Sequence, residues 1–332
     1  MSSRVAEFTS PPVKRRIAFY APGQGIKSFK DGQDLLSEGS ETHRIYEEIG
    51  IATGVDVIDV CRSEIAVTDP AVIQAVNVGV GYARAKALNE CGIFTDYLIG
   101  VSSGEFTAAA IGGAISLRDA AITAYERGRS QVEEAGGKGG GFVVIHDRSA
   151  PPKRLKHTIK KTVKEFENSH LGGEHTPFKT MVTYVNEEKV ALKAALEDIP
   201  GVRRVIALDN LPFPPHGKFV KATEEKLAYM MDEILREGGV KDSTLEIIAT
   251  RTARPMRRAK TIINNLVLQT TKPTNLTGCV NYARNRGVVD HYDLGPGDSM
   301  SNSLGDFDLG PYAIIHPVGD YSTPGRKPDE IS

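Results

Sequence analysis

Five residues, Gly100-Val101-Ser102-Ser103-Gly104, constrain this chain more than any other stretch of it. They match G-x-S-x-G and lie between two contrasting segments. The apolar run "YLIGV" at 97–101 reads as a short buried strand, and the small-residue segment 104–112 reads as a helix. The bare pattern also fits a glycine-rich turn with two incidental serines. The strand-to-helix setting gives it chemical meaning, because a sharp turn there projects a serine out of the backbone. The flanking glycines allow close packing and unusual dihedral angles. The N-terminus of the following helix offers free N–H groups and a positive dipole end to a developing oxyanion. Ser102 is therefore the candidate nucleophile.

The surrounding pattern is α/β. A strand is predicted at 16–20 ("RIAFY"), running into a Gly/Pro loop at 21–25. Helices are predicted at 40–50, 70–91 and 117–135; the second has apolar Val72, Ala75, Val76, Val80, Ala83 and Ala87 at helical spacing and stops at Gly92. The run "GGKGGG" at 136–141 reads as a flexible connection and a subdomain boundary. Beyond it come a strand at 142–146, a basic helical segment at 153–167 and a polar loop. A strand at 180–185, a helix at 189–196 and a strand at 202–208 follow. So short an alternation suggests a small α+β unit inserted in a larger one. A helix at 222–237, a strand at 245–249 and helices at 260–268 and 275–286 restore the α/β pattern. The tail after about residue 317, rich in Pro, Gly and Asp, is expected to be loosely held.

Composition narrows the functional classes. In 332 residues, 40% hydrophobic and 25% charged, the chain has what a soluble globular core needs. A formal net charge of -1 gives no global field to recruit nucleic acid or an anionic membrane. No apolar run approaches the ~18–20 residues of a membrane span, and residues 1–12 lack the apolar stretch of a signal peptide. Cys61, Cys91 and Cys279 are few, odd in number and far apart, which argues for a reducing cytoplasm rather than a disulfide framework. No Cys or His spacing resembles a zinc site.

Five segments in order then carry a family resemblance. "GVSSGEFTAAAIGGAISLRDA" resembles the G-H-S-L-G-E segment of malonyl-CoA:acyl-carrier-protein transacylases and polyketide-synthase acyltransferase domains. "APGQG" at 21–25 resembles their F-P-G-Q-G loop, and "ERGR" at 126–129 their R-G motif. "LPFPPHGKFVKATEEKL" at 211–227 resembles the segment bearing their histidine. "QTTKPTNLTGCVNYARNRGVVDHYDLGPGD" at 269–298 resembles their Q-x-x-x-P and G-P-G ending. These segments span most of the chain outside residues 149–209.

The resemblance implies an α/β-hydrolase-like parallel-sheet core from residues 1–140 and 211–332. A small ferredoxin-like subdomain from 141–210 would be inserted in it, with the site in the cleft between. It implies that Ser102 is the nucleophile and that His216, in the segment that resembles the family's histidine-bearing one, is the base. The imidazole would be oriented by a backbone carbonyl from near Gln269, whose side chain would also face the site. Arg127 would hold the free carboxylate of a malonyl group through its planar fork. The backbone amides of Gln24 and Ser103 would form the oxyanion hole. The implied reaction is ping-pong transfer from malonyl-CoA to the phosphopantetheine thiol of an acyl carrier protein, with no metal or other cofactor.

Departures from the family pattern bear on substrate identity. Val101 replaces the usual histidine before the nucleophile and Ser103 the usual leucine after it. Ile26-Lys27 replace Ser-Gln, and the N-x-N-x-P-x-Q stretch is not recognisable. These changes favour a stand-alone acyltransferase of a specialised polyketide pathway over a housekeeping fatty-acid enzyme. Two other readings stay open: an acyl hydrolase that clears carriers, and transfer of a non-malonyl group between carriers. Basic clusters at 153–164 and 251–260 are candidate contacts for an acidic carrier protein, or simply solvated charged faces.

Overall fold

A computed structural model of the chain describes residues 15–24, 29–36, 40–208, 213–321 and 324–325. Expectations for Gly25, Ile26, Lys27, Leu211 and Pro212 lie outside them.

In chain order the strands are β1 (Arg16–Ala21), β2 (Tyr97–Gly100), β3 (Gly139–His146), β4 (Ser169–Thr176), β5 (Lys179–Val185) and β6 (Val202–Ala207). They continue with β7 (Glu246–Ala249), β8 (Arg254–Met256), β9 (Thr274–Asn275), β10 (Val288–Asp293) and β11 (Ile314–His316). The helices are α1 (Glu41–Thr53), α2 (Val57–Arg62), α3 (Pro70–Glu90), α4 (Gly104–Ile111), α5 (Leu117–Ala135) and α6 (Pro152–Val163). After them come α7 (Lys189–Glu197), α8 (Lys221–Arg236), α9 (Ala259–Leu268), α10 (Leu276–Asn285) and α11 (Ser299–Leu304).

The strands form two sheets. One has the order β11-β10-β1-β2-β7-β8 and is parallel up to β7, with β8 returning antiparallel. Its central strands read as continuous apolar runs because helices cover both faces. Most residues of α3 are buried, and its small Ala, Gly and Val side chains let it pack closely on α4 and α5. A cluster including Phe19, Ile45, Val76, Phe106, Ala121 and Ile247 fills one side of the sheet; Tyr20, Ile99, Leu276 and Val280 lie in a cluster on the other.

The second sheet has the order β6-β3-β5-β4-β9. Its first four strands, with α6 and α7, make a β-α-β-β-α-β unit of ferredoxin-like type. Two details differ from the sequence reading. The glycine run expected to be a flexible connection enters β3 at Gly139, and Gly139 to Gly141 pair with β5. There a Cβ on Gly139 would sit 2.0 Å from the Tyr184 carbonyl oxygen, so glycine serves close strand approach. The polar loop expected before residue 180 contains β4, whose outer edge takes β9 as a parallel neighbour with Gly173 opposite Thr274. The small sheet thus borrows a strand from the segment that follows α9.

No helix among the described residues is long and apolar enough to cross a membrane.

Candidate active site

The turn after β2 is held by its backbone. Val101 N–H donates to the Ala21 carbonyl at 2.9 Å, and Gly104 N–H returns to the Val101 carbonyl at 2.9 Å. Ser102 sits between at φ 51°, a left-handed conformation costly for serine, about 1–3 kcal/mol. The neighbours explain why glycines flank it. A Cβ at Gly104 would meet the Ala21 carbonyl oxygen at 2.3 Å, and one at Gly100 would meet the Gly104 carbonyl oxygen at 2.2 Å. The strand-to-helix turn predicted from the sequence is therefore present, with α4 starting directly behind Ser102.

Glu105, in the first turn of α4, is buried and takes hydrogen bonds from the Thr250 N–H and hydroxyl and from Asn265 Nδ2. Burial raises its carboxyl pKa to about 7 against the lowering effect of those donors. Asn265 lies on α9, the helix that ends at Gln269, so one carboxyl group ties the serine turn to the segment beside the histidine.

His216 is 1% exposed. Its Nδ1 lies 3.1 Å from the backbone carbonyl of Gln269. A carbonyl only accepts, so Nδ1 carries the proton and Nε2 of the neutral ring keeps its lone pair. Burial first, then the positive Arg127 and the neighbouring His175, lower the His216 pKa to about 3. The carbonyl expected from near Gln269 is in place. The Gln269 side chain is fully buried, and neither of its amide atoms has a hydrogen-bond partner among the described residues.

Arg127 is buried on α5, not solvated as a helix arginine usually is. Its Nη2 donates to Ser102 Oγ at 3.3 Å, Nη1 to Gln74 Oε1 at 2.8 Å and Nε to Thr270 Oγ1 at 3.4 Å. Burial pulls its pKa down to about 10, so it stays charged near neutrality. It pairs with no carboxylate among the described residues; Glu105 acts on it only through space.

The amides of Gln24 and Ser103 have no acceptor among the described residues, and Asn77 Nδ2 holds the preceding Gly23 carbonyl at 3.2 Å. Ser102 and His216 line one cavity of about 160 Å³ with Gly23, Gln24, Val101 and Pro215. Its other walls are His175, Met181, Thr274, Leu276, Ser299, Met300 and Ser303. The cavity lies where the two sheets meet.

The structure therefore brings Ser102, Ser103, Gln24, Arg127, His216 and the Gln269 carbonyl together. It also adds residues the sequence did not single out. Gln74, 0% exposed on α3, accepts from Arg127 and donates to Gln24 Oε1 at 3.1 Å and Gln131 Oε1 at 3.0 Å. An amide at a core position of an apolar helix was its only sequence signal. His175 comes from β4, within the stretch read as a loop. The basic cluster at 153–164 is α6, with Leu155, Ile159 and Val163 turned inward and most of its lysines outward.

A strained serine on a strand-to-helix turn and a buried imidazole that share one cavity of an α/β fold fit the acyltransferase class. Comparison with known proteins narrows that class. The chain is 26% identical over 290 residues to the malonyl CoA-acyl carrier protein transacylase of Bacillus subtilis strain 168, covering 86% of this chain and 88% of that protein. It is 28% identical over 225 residues to pikromycin polyketide synthase component PikAIII of Streptomyces venezuelae, covering 65% of this chain and 14% of the synthase. Its fold matches the crystal structure of malonyl-CoA:acyl carrier protein transacylase from Helicobacter pylori with a TM-score of 0.80 at 21% identity, over 92% of this chain and 95% of that one. No family model matches the sequence. The resemblance first carried by five short motifs thus extends along nearly the whole chain, in sequence and in fold.

Proposed function

We propose that the chain moves a malonyl-type acyl group from CoA to the phosphopantetheine thiol of an acyl carrier protein, through an ester on Ser102. The observation that carries this reading is Arg127: a buried guanidinium without a carboxylate partner among the described residues, 3.3 Å from Ser102 Oγ. A charge so placed calls for an anion, and a malonyl group esterified at Ser102 brings one within a few bonds.

His216 Nε2 takes the Ser102 proton as Oγ attacks the thioester carbon. The Gln24 and Ser103 amides hold the oxyanion. Collapse expels the CoA sulfur, which receives the proton from His216. The carrier thiol then gives its proton to His216, attacks the ester and leaves as a malonyl thioester, with the proton returned to Ser102. The Gln269 carbonyl keeps the imidazole in the productive tautomer and needs no carboxylate to do so.

Intact-mass spectrometry tests the reading. Incubation with malonyl-CoA should add one malonyl mass to the protein, and addition of a holo-carrier should remove that mass and place it on the carrier. Steady release of free malonate with the carrier left unloaded would favour the hydrolase reading instead. A neutral acyl mass gained in preference to malonyl would assign a different acyl group.

The buried histidine also sets a pH dependence. Its folded pKa of about 3 lies below the usual value near 6.5, so the neutral base persists as the medium is acidified. kcat/KM for loading should stay level down to about pH 5, with no acid limb near the ordinary histidine pKa. A half-maximal point near 6.5 would contradict the reading. Stability behaves differently. Below about pH 6.5 the unfolded chain binds a proton that folded His216 refuses, so its contribution is full above that pH and declines as pH falls. Tm measured alongside the rate separates the two.

A further inference from the structure

The cavity has more hydrogen-bonding capacity than a malonyl ester uses. The ester carbonyl falls to the Gln24 and Ser103 amides and the terminal carboxylate to Arg127, which leaves the acyl group no polar atom unserved. Three side-chain atoms of lining residues are shielded from solvent and without a hydrogen-bond partner among the described residues: Gln24 Nε2, next to its own backbone amide, and the pair His175 Nε2 and Thr274 Oγ1 on the far wall. Shielded polar atoms left unpaired are uncommon and costly, which makes such a pair in a cavity wall evidence of a ligand. They come from adjacent strands. β4 carries His175 and β9 carries Thr274, and with Gly173 paired to Thr274 the histidine lies two residues further along the neighbouring strand. The apolar Met181, Leu276 and Met300 share this part of the wall, and the rim is marked by exposed Ser299 while His216 lies fully inside.

We infer that His175 and Thr274 form a subsite for an amide of the thiol-bearing arm of the substrate, the part that CoA and a carrier protein have in common. That arm alternates amides with methylene segments. The wall offers hydrogen-bonding atoms among thioether and leucine side chains. The acyl group occupies the Ser102 side, so what passes the outer wall is the arm. His175 suits the task in its neutral form: burial, and Lys179 nearby, lower its pKa to about 4, so near neutrality Nε2 binds by hydrogen bonding without competing with Arg127 for the carboxylate. His175 is thus a positioning residue for the thioester, distinct from the base.

The inference rests on the acyl-enzyme reading, and three malonyl thioesters separate the two. Malonyl ethanethiol ester has no arm amide, malonyl-N-acetylcysteamine has one, and malonyl-CoA has both arm amides. Loading of Ser102 is measured for wild type, His175→Ala and His175→Gln. If the acyl-enzyme reading itself fails, wild type takes no malonyl mass from any of the three. If it holds, His175→Ala should raise KM for malonyl-CoA about 3- to 10-fold, as loss of one hydrogen bond does, with kcat little changed. The ethanethiol ester should load at the wild-type kcat/KM, and His175→Gln, which keeps a hydrogen-bonding amide, should recover part of the CoA loss. The recovery guards against a variant that merely misfolds. Equal losses for all three esters would overturn the proposal, since His175 would then act on His216 or on the fold. Unchanged KM for malonyl-CoA would also overturn it, as would a loss that follows the acyl group rather than the arm.

Discussion

Ser102→Ala is expected to leave a folded protein that gains no acyl mass from any thioester. The substitution removes one oxygen atom. Among the described residues that atom accepts a single long hydrogen bond, 3.3 Å from Arg127 Nη2, and Arg127 keeps its Gln74 and Thr270 partners. Alanine meets the same left-handed backbone angle as serine, so the turn is no more strained than before. Tm should therefore shift little. Chemistry has no substitute: Ser103 Oγ is buried and follows the turn instead of crowning it. Transfer should fall by on the order of 10⁴-fold or more, the scale on which loss of a nucleophile is felt where binding and the oxyanion hole remain. The measurement is intact mass and transfer rate with malonyl-CoA, beside a melting curve. A malonyl mass on the variant would place the nucleophile elsewhere.

Arg127→Ala should divide substrates by charge. A malonyl carboxylate desolvated in the site without its partner costs about 2–5 kcal/mol. At 1.4 kcal/mol per factor of ten, malonyl loading should drop roughly 30-fold to several thousand-fold. Acetyl-CoA brings no carboxylate, so acetyl loading should fall little or rise, because a buried positive charge beside the ester is gone. The variant also frees Gln74 Oε1, a fully buried acceptor, and some loss of Tm is expected from that alone. The ratio of malonyl to acetyl loading is therefore the informative quantity, because destabilisation lowers both. Equal losses for the two would mean that Arg127 supports the fold or the CoA rather than the carboxylate.

The arginine illustrates how far sequence reasoning reaches. On residues alone, Arg127 and Arg129 are two charges on one helix. The structure buries Arg127 and leaves Arg129 on the surface, paired with Glu126 at 2.7 Å. What separates them is which face of α5 meets α3, and no local pattern encodes that. Gln74 has the same origin: it becomes meaningful only when α3 and α5 pack and its amide finds Arg127, Gln24 and Gln131.

Some elements escaped notice for a related reason. β10 carries Asp290, His291 and Asp293, all nearly or fully buried, so its sequence does not read as a core strand. Its charges are tolerated because distant groups meet them: Arg15 Nε and His316 reach Asp290, while the Gly295 and Ser301 N–H groups reach Asp293. β4, with its Gly-Gly pair and two histidines, likewise reads as polar loop until β5 and β9 flank it.

The sequence by itself determined the serine turn. Only glycine fits where the Ala21 and Gly104 carbonyls approach, and an apolar strand followed by a small-residue helix is a local pattern that announces itself. It also determined the order of the main elements, because hydrophobic periodicity is a property of neighbours in the chain. The tertiary structure alone decided which polar groups became a site. Ser102, Arg127, His175, His216 and Gln269 are drawn from both sheets' surroundings and from helices far apart in sequence. Their burial, their proton positions and the unpaired atoms of the cavity wall are consequences of packing, and packing joins residues that the chain keeps apart.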